Sequence, residues 1–245
     1  MSDQQTFVSH LIELRSRLVK SVVAILLLVM IQLPFAGQIY TIMAKPVLAY
    51  LPEGSAMIAT GVLSPFLTPL KMVFILGLII AMPYILYQIW AFVAPGLYKH
   101  EKRIARPLLF SGITLFYLGC LFAYFVIFPI LFQFIPKILP SSISYMPDIN
   151  SYFDIVVRLF FAFGFAFEVP IAVILMILLG VTTPEKLSNS RPYVIVGVFV
   201  VGMLLTPPDM ISQTLMAIPM WILFELGIIM GKILKKRAKE AKQPE

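Results

Sequence analysis

Along this chain, polar side chains come in short clusters separated by long apolar runs. Charged residues are absent from 21–44, 72–98, 107–136 and 192–208, and only Glu168 interrupts the run 159–184. A helix rises 1.5 Å per residue, so about 20 apolar residues cross roughly 30 Å of hydrocarbon. Hydrocarbon also gives backbone N–H and C=O groups nothing to bond, which leaves the helix as the form such runs must take. The pattern predicts an all-α polytopic membrane protein with spans at about 19–36, 70–93, 107–131, 152–180, 192–206 and 211–230. It reads as a single transmembrane domain over 1–245, with a basic tail at 231–245.

The ends of these runs add detail. Before the first span, Phe7, Leu11, Leu14 and Leu18 share one helical face while His10, Glu13 and Arg17 share another, an amphipathic lead-in. The connections 37–69 and 132–151 are rich in proline (Pro46, Pro52, Pro65, Pro69; Pro136, Pro140, Pro147). The first contains "SAMIATGVLSPFLTP", too apolar for a solvated linker, and is expected to cap the outer helix ends. "TPPD" (206–209) reads as a tight turn. Pro192 to Thr206 gives only about 22 Å of helix. Residues 210–224 are equally short before Glu225. Either the bilayer thins beside this hairpin or Glu225 reaches back to the surface. The sequence contains no internal repeat.

Composition agrees with this class. The chain is 60% hydrophobic and 13% charged, about half the charged fraction of a soluble domain. Fifteen Lys and Arg fall in the N-terminus, the 94–106 and 181–191 connections and the tail, leaving Lys45, Lys71, Lys137 and Arg158 on the opposite side. That asymmetry places both termini in the cytoplasm. The stretch "HLIELRSRLVK" contains Glu13 and precedes no small-x-small cleavage site, which fits an uncleaved first span. A single cysteine, Cys120, excludes an internal disulfide and a multi-cysteine metal site.

Enzyme motifs fail on spacing. "GIIMGK" (227–232) is one residue short of a phosphate loop and lacks the following Ser or Thr; as Gly-x-x-x-Gly it suits helix packing. "HEKRI" places Ile104 where a zinc-protease motif needs its second histidine. The only histidines, His10 and His100, are both cytoplasmic, so no intramembrane Ser–His pair or histidine metal site is available. No catalytic residue, cofactor, metal or nucleic-acid partner is expected.

Three acids then stand out. Glu13 forms an i,i+4 pair with Arg17, which serves an interfacial helix worth a few tenths of a kcal/mol, or a binding site. Glu101 lies among Lys99, Lys102 and Arg103, as charge balance or as a second carboxylate of that site. Glu168 sits within a span, where an ionised group costs about 3 kcal/mol. Gly164 lets another helix approach it, and Pro170 leaves the Ala166 carbonyl without its helical donor. It marks a polar pocket, a partner-helix face or a proton site, or it is a protonated acid bonded to a neighbouring span.

The segments "HLIELRSRL" (10–18), "MIATGVLSPFLTPLK" (57–71), "ILYQIWAFVAPGLYKHEKR" (85–103), "FAYFVIFP" (122–129), "AFGFAFEVP" (162–170), "RPYVIVGVFVVGMLLTPPD" (191–209) and "SQTLMAIPM" (212–220) resemble the TatC family. Those proteins are the multispanning core subunits of the twin-arginine translocase. The resemblance covers nearly the whole chain, in family order, and implies a bacterial inner-membrane receptor for Arg-Arg signal peptides of folded proteins. It assigns Glu13, Leu14, Arg15, Arg17, Phe92, Lys99, Glu101 and Arg103 to signal binding. It assigns Glu168 to the intramembrane glutamate, and Met203, Leu204, Thr206 and Gln213 to the region where single-span TatA- and TatB-type subunits dock. Pro46 and Asp209 fall at outer-loop positions and Tyr124 in the third span. Self-association and export driven by the proton gradient are also implied.

The residue chemistry is compatible. Arginine is a planar fork that pairs with carboxylates in a way lysine cannot copy. The surrounding cations must then be directed toward anionic head groups. A ring of six helices, each about 10 Å across, encloses a hole of only about 10 Å, too small for a folded protein. The chain is thus expected to recognise and organise. The rival from another class is a proton-coupled small-solute transporter using Glu168, against which stand the missing repeat and the shortage of intramembrane charge. A bare scaffold or insertase is a further alternative.

Overall fold

The computed structural model describes residues 2–48, 56–93, 102–138, 146–205 and 210–240, with the backbone alone described for 2–10 and for a few helix-end residues. Nine α-helices are described: α1 (Ser2–Gln32), α2 (Ala36–Leu48), α3 (Ser64–Val93), α4 (Lys102–Phe122), α5 (Phe128–Ile138), α6 (Ile149–Leu178), α7 (Pro184–Asn189), α8 (Arg191–Leu205) and α9 (Met210–Glu240). Among the described residues, five segments are long and apolar enough to cross a membrane: Leu11–Lys45, Ser64–Phe92, Arg106–Gln133, Ile149–Leu178 and Gln213–Lys236. The apolar α8 is shorter, as the pattern of residues 192–206 required. The protein is all-helical and polytopic.

Two irregular turns interrupt the first and third of these segments. A 3-10 turn, Leu33–Phe35, joins α1 to α2 at Pro34, whose nitrogen has no hydrogen to donate. A π turn, Ala123–Ile127, joins α4 to α5 just before Pro129. That proline ring would press on the carbonyl four residues back, at Phe125, and the wider π turn makes room for it.

Helix α6 runs through the centre, packed between α4 and α9, while α8 lies on α9 and α1 lies along α3. Phe153, Leu159, Phe163 and Ile177 of α6 are buried, and Gly227 and Gly231 of α9 face this helix. A Cβ at Gly227 would stand 2.9 Å from the Pro170 Cα, so the small-x-x-x-small stripe is what lets α9 approach α6. In a bilayer, where lipid tails are as apolar as leucine, such close packing is the main attraction between helices. Near the start of α6 an aromatic chain joins three elements: Tyr40 of α2, Tyr152 and Phe153 of α6, and Phe132 and Phe128 of α5 have ring centroids 4.9–6.0 Å apart.

The starts of α3 and α6 are stitched together by polar groups. Ile58 N–H donates to the Pro147 carbonyl at 3.0 Å, and Ile149 N–H donates to the Ile58 carbonyl at 2.9 Å. Asp148 caps α6 by accepting from Ser151 N–H, and its other oxygen accepts from the Thr60 N–H at 3.0 Å and hydroxyl at 2.7 Å. Thr68 donates to Asn150 at 2.5 Å, Asn150 donates to Ser64, and Lys71 pairs with Asp154. The Tyr152 hydroxyl reaches the Met43 carbonyl at 2.9 Å and fastens α2 to the same corner.

Residues 37–69 and 132–151 are therefore less loop-like than their prolines suggest. The backbone stays helical to Leu48 through Pro46 and to Ile138 through Pro136. Each of these prolines lies in the last turn and forfeits only the one bond its own N–H would make to the carbonyl four residues back. Glu225, the acid that shortened the last span, meets the Arg191 guanidinium in a two-pronged pair, Nε–Oε1 2.5 Å and Nη2–Oε2 2.7 Å. This clamps the start of α8 to α9. The "TPPD" turn lies outside the described residues.

Hydrogen bonds from Thr60 and Ser151 hold the Asp148 carboxyl well below the usual carboxylate range. A depressed folded pKa contributes stability that is complete above the ordinary carboxylate value and lost only as pH falls through the depressed one. Thermal unfolding should therefore show no contribution from Asp148 titration between pH 5 and 8. Asp148→Ala should lower the melting temperature and speed hydrogen exchange at the Thr60 and Ser151 amides across that whole range.

Candidate guanidinium-recognition site and intramembrane glutamate

One turn of α1 brings Glu13 and Arg17 to one face, and this face meets the C-terminal end of α3. Arg17 donates from Nε and Nη2 to the same Glu13 oxygen, Oε1, at 3.0 and 2.6 Å. Its Nη1 donates to Gln88 Oε1 at 3.1 Å, and Nη2 also reaches the Ala91 carbonyl at 3.2 Å. The last carbonyls of a helix lack intrahelical donors and carry the negative end of its dipole, so the end of α3 is suited to a cation. Ser21 completes the corner by donating to the Arg17 carbonyl at 3.0 Å. The Glu13 side chain is 37% exposed and that of Arg17 23%.

The i,i+4 pair foreseen between Glu13 and Arg17 is thus present, but it is part of something larger. Gln88 and the Ala91 carbonyl turn a local helix pair into a junction between α1 and α3. Gln88 was missed in the sequence, although an amide alone in the charge-free run 72–98 was a visible signal. It is buried, at 6% exposure.

Leu14 is exposed on α1, as is Arg15, and Phe92 lies half-buried one residue beyond Ala91. Glu101 and Lys99 lie outside the described residues, and of Arg103 only the helical backbone is described. The chain segment carrying Glu101 leaves the end of α3 that holds Arg17 and enters α4 at Lys102.

Glu168 lies two-thirds of the way along α6, facing α4. A Cβ at Gly112 would stand 3.1 Å from its Oε2, so the bare glycine makes the space for this carboxyl group. Oε1 is buried and has no hydrogen-bond partner among the described residues. A buried polar atom without a partner costs roughly 1–3 kcal/mol, which makes this position unusual within the bundle.

Tyr124 lies in the π turn, its ring edge-on to Phe125 at 5.0 Å. It borders an apolar cavity of about 290 Å³ together with Met43, Met72, Tyr117, Cys120 and Phe160. Met203 is exposed near the end of α8. Gln213, on the first turn of α9, donates to the Phe199 carbonyl at 2.7 Å and so ties the far end of the α8–α9 hairpin. Leu204 and Pro46 are helical with side chains outside the description, and Thr206 and Asp209 lie outside the described residues. The structure thus gathers Glu13 and Arg17 into one corner, with Glu168 and the hairpin residues on separate faces. Among the described residues, no group of His, Cys, Asp or Glu is arranged to hold a metal ion.

Comparison with known proteins assigns the scaffold. The family model for the Sec-independent protein translocase protein TatC matches residues 9–219. The TatC protein of Azotobacter chroococcum mcd 1 is 55% identical over 98% of this chain and 94% of its own length. That of Escherichia coli strain K12 is 51% identical over 95% of this chain and 90% of its own. A crystal structure of the twin-arginine translocase receptor TatC superposes with a TM-score of 0.80 at 41% identity, covering 91% of this chain and 98% of that one. A second, in the detergent DDM, gives 0.82 at the same identity. The corner at Arg17, the central α6 with its glutamate and the short α8 hairpin therefore sit on a known transport scaffold, not an enzyme's: the chain belongs to the TatC family of Sec-independent protein translocase proteins, as a multi-pass membrane subunit of the Tat translocase.

Proposed function

We propose that this subunit is the receptor for Arg-Arg signal peptides of folded proteins, and that it organises single-span TatA- and TatB-type partners for export driven by the proton gradient. The observation that carries this reading is the corner at Glu13. A guanidinium, that of Arg17, is already held there by a carboxylate, an amide oxygen and a helix-terminal carbonyl. The chemistry required to recognise an incoming arginine is the chemistry this corner displays. Glu101, ten residues beyond Ala91 in the chain, supplies the second carboxylate.

In this reading both termini and the Glu13 corner face the cytoplasm across the bacterial inner membrane, in keeping with the lysine and arginine asymmetry. Glu168 offers its unpartnered oxygen to a polar group on an incoming helix or signal segment. Met203, Leu204, Thr206 and Gln213 serve partner docking along the α8–α9 hairpin. Pro46 and Asp209 belong to the outer surface, and other copies and partners form the passage that six helices are too few to enclose.

Photo-crosslinking of an Arg-Arg signal peptide to the membrane-embedded protein tests the receptor site. Glu13→Ala or Glu101→Ala should abolish the crosslink while leaving membrane insertion intact; normal crosslinking by the double variant would remove the proposal. For the intramembrane site, Glu168→Ala should weaken crosslinking to a partner helix and reduce export. If both stay at the level of the parent protein, Glu168 has no part in assembly.

A further inference from the structure

Arg17 distributes its hydrogen bonds unevenly, and the uneven share has a use. A guanidinium offers five N–H donors in a fixed plane. Its commonest match with a carboxylate is two parallel bonds, one to each oxygen. Here two of the N–H groups converge on a single oxygen of Glu13, and two more are turned toward α3, to Gln88 and to Ala91. Glu13 Oε2 takes no part in any described hydrogen bond, and its side chain remains more than one-third exposed.

The cause lies on α3. Gln88 is buried and 71 residues from Arg17 in sequence, so its amide oxygen is fixed by the packing of α1 on α3 and not by local helix geometry. It accepts from Nη1, the arm of the guanidinium farthest from Glu13, and the Ala91 carbonyl accepts from Nη2. Held from that side, the plane of Arg17 meets the carboxylate at one oxygen. Released from Gln88, the fork is free to rotate onto both oxygens of Glu13 and close the site from within. Neither acceptor on α3 is charged, so Arg17 keeps its place without consuming the second oxygen of Glu13.

We propose that Gln88 is a positioning residue for recognition of an arginine-bearing ligand: by holding Arg17 on α3 it keeps one Glu13 oxygen open to an incoming guanidinium. This rests on the receptor reading above and adds a specificity determinant to it. Gln88 does not touch the ligand. Arg17 is a resident spacer, and Glu13 is shared between it and the signal peptide.

The test uses the full-length protein in nanodiscs and a fluorescent signal peptide carrying either Arg-Arg or Lys-Lys. Gln88→Met keeps the length and apolar packing of the side chain but removes the acceptor oxygen; Gln88→Glu keeps the oxygen. Gln88→Met should weaken Arg-Arg peptide binding about tenfold, the scale of one lost hydrogen bond to a charged group. Gln88→Glu should bind close to the parent. Combined with Glu13→Gln, the Met substitution should change binding little, because the oxygen it protects is already compromised. Parent-level binding by Gln88→Met would overturn the proposal. So would an equal loss in the Glu13→Gln background, which would mean a general loosening of α1 from α3, or an equal loss by Gln88→Glu. If the parent protein fails to distinguish Arg-Arg from Lys-Lys, or Glu13→Gln binds as tightly as the parent, the receptor reading itself fails and the role of Gln88 falls with it. Discrimination by the parent together with indifference at Gln88 overturns the positioning role alone.

Discussion

Hydrocarbon supplies no hydrogen bonds, and every feature of this protein answers to that. The backbone is satisfied within helices, and the few polar side chains that enter the bundle must find partners or stand exposed as exceptions. At the helix ends the exceptions are resolved by pairing: Arg17 on the end of α3, Asp148 and Asn150 at the starts of α6 and α3, Arg191 with Glu225 at the start of α8. Two buried oxygens are left open among the described residues, Gln32 Oε1 at the end of α1 and Glu168 Oε1 within α6. Glu168 faces a glycine with an oxygen that bonds nothing in the described chain. Gln32 is still tied to the Leu28 carbonyl through its amide nitrogen, whereas Glu168 makes no described hydrogen bond, which draws attention to what meets it.

The packing makes the same division. α6 is enclosed by α4 and α9 through glycine-mediated approach, whereas α1 packs mainly along α3 and exposes Leu18, Val22, Leu26 and Met30. A helix attached along one edge depends on its polar contacts for orientation. The junction of Arg17 with Gln88 and Ala91 supplies that orientation at the end where Glu13 sits. Under the proposed receptor role, structural anchoring and recognition chemistry share one guanidinium, and a side chain of the protein itself occupies the place a ligand arginine would seek.

Much of this was legible in the sequence, for identifiable reasons. Charge-free runs mark membrane spans because the cost of a charge in hydrocarbon is large, and the Gly227–Gly231 spacing marked a packing face that the structure places against α6. The Glu13–Arg17 pair was visible because helical neighbours at i,i+4 follow from local geometry alone. Gln88 was not, since its partner lies across a tertiary contact that no local period encodes. The helical stretches to Leu48 and Ile138 were hidden for a different reason: proline density signals a loop, while a single proline in a last turn forfeits only one hydrogen bond. The stitching of Thr60 to Asp148 joins residues 88 apart and had no sequence signature beyond the capping potential of an aspartate.

The central claim is that the carboxylates of Glu13 and Glu101 lie close enough for two adjacent arginines to engage both. Spin labels at Ile12 and Lys102, the neighbours of those acids, report the separation directly by pulsed electron resonance in lipid. A single short distance, within the span of two consecutive arginine side chains, is the result this account predicts. A long separation, or a broad distribution with no short component, would contradict it.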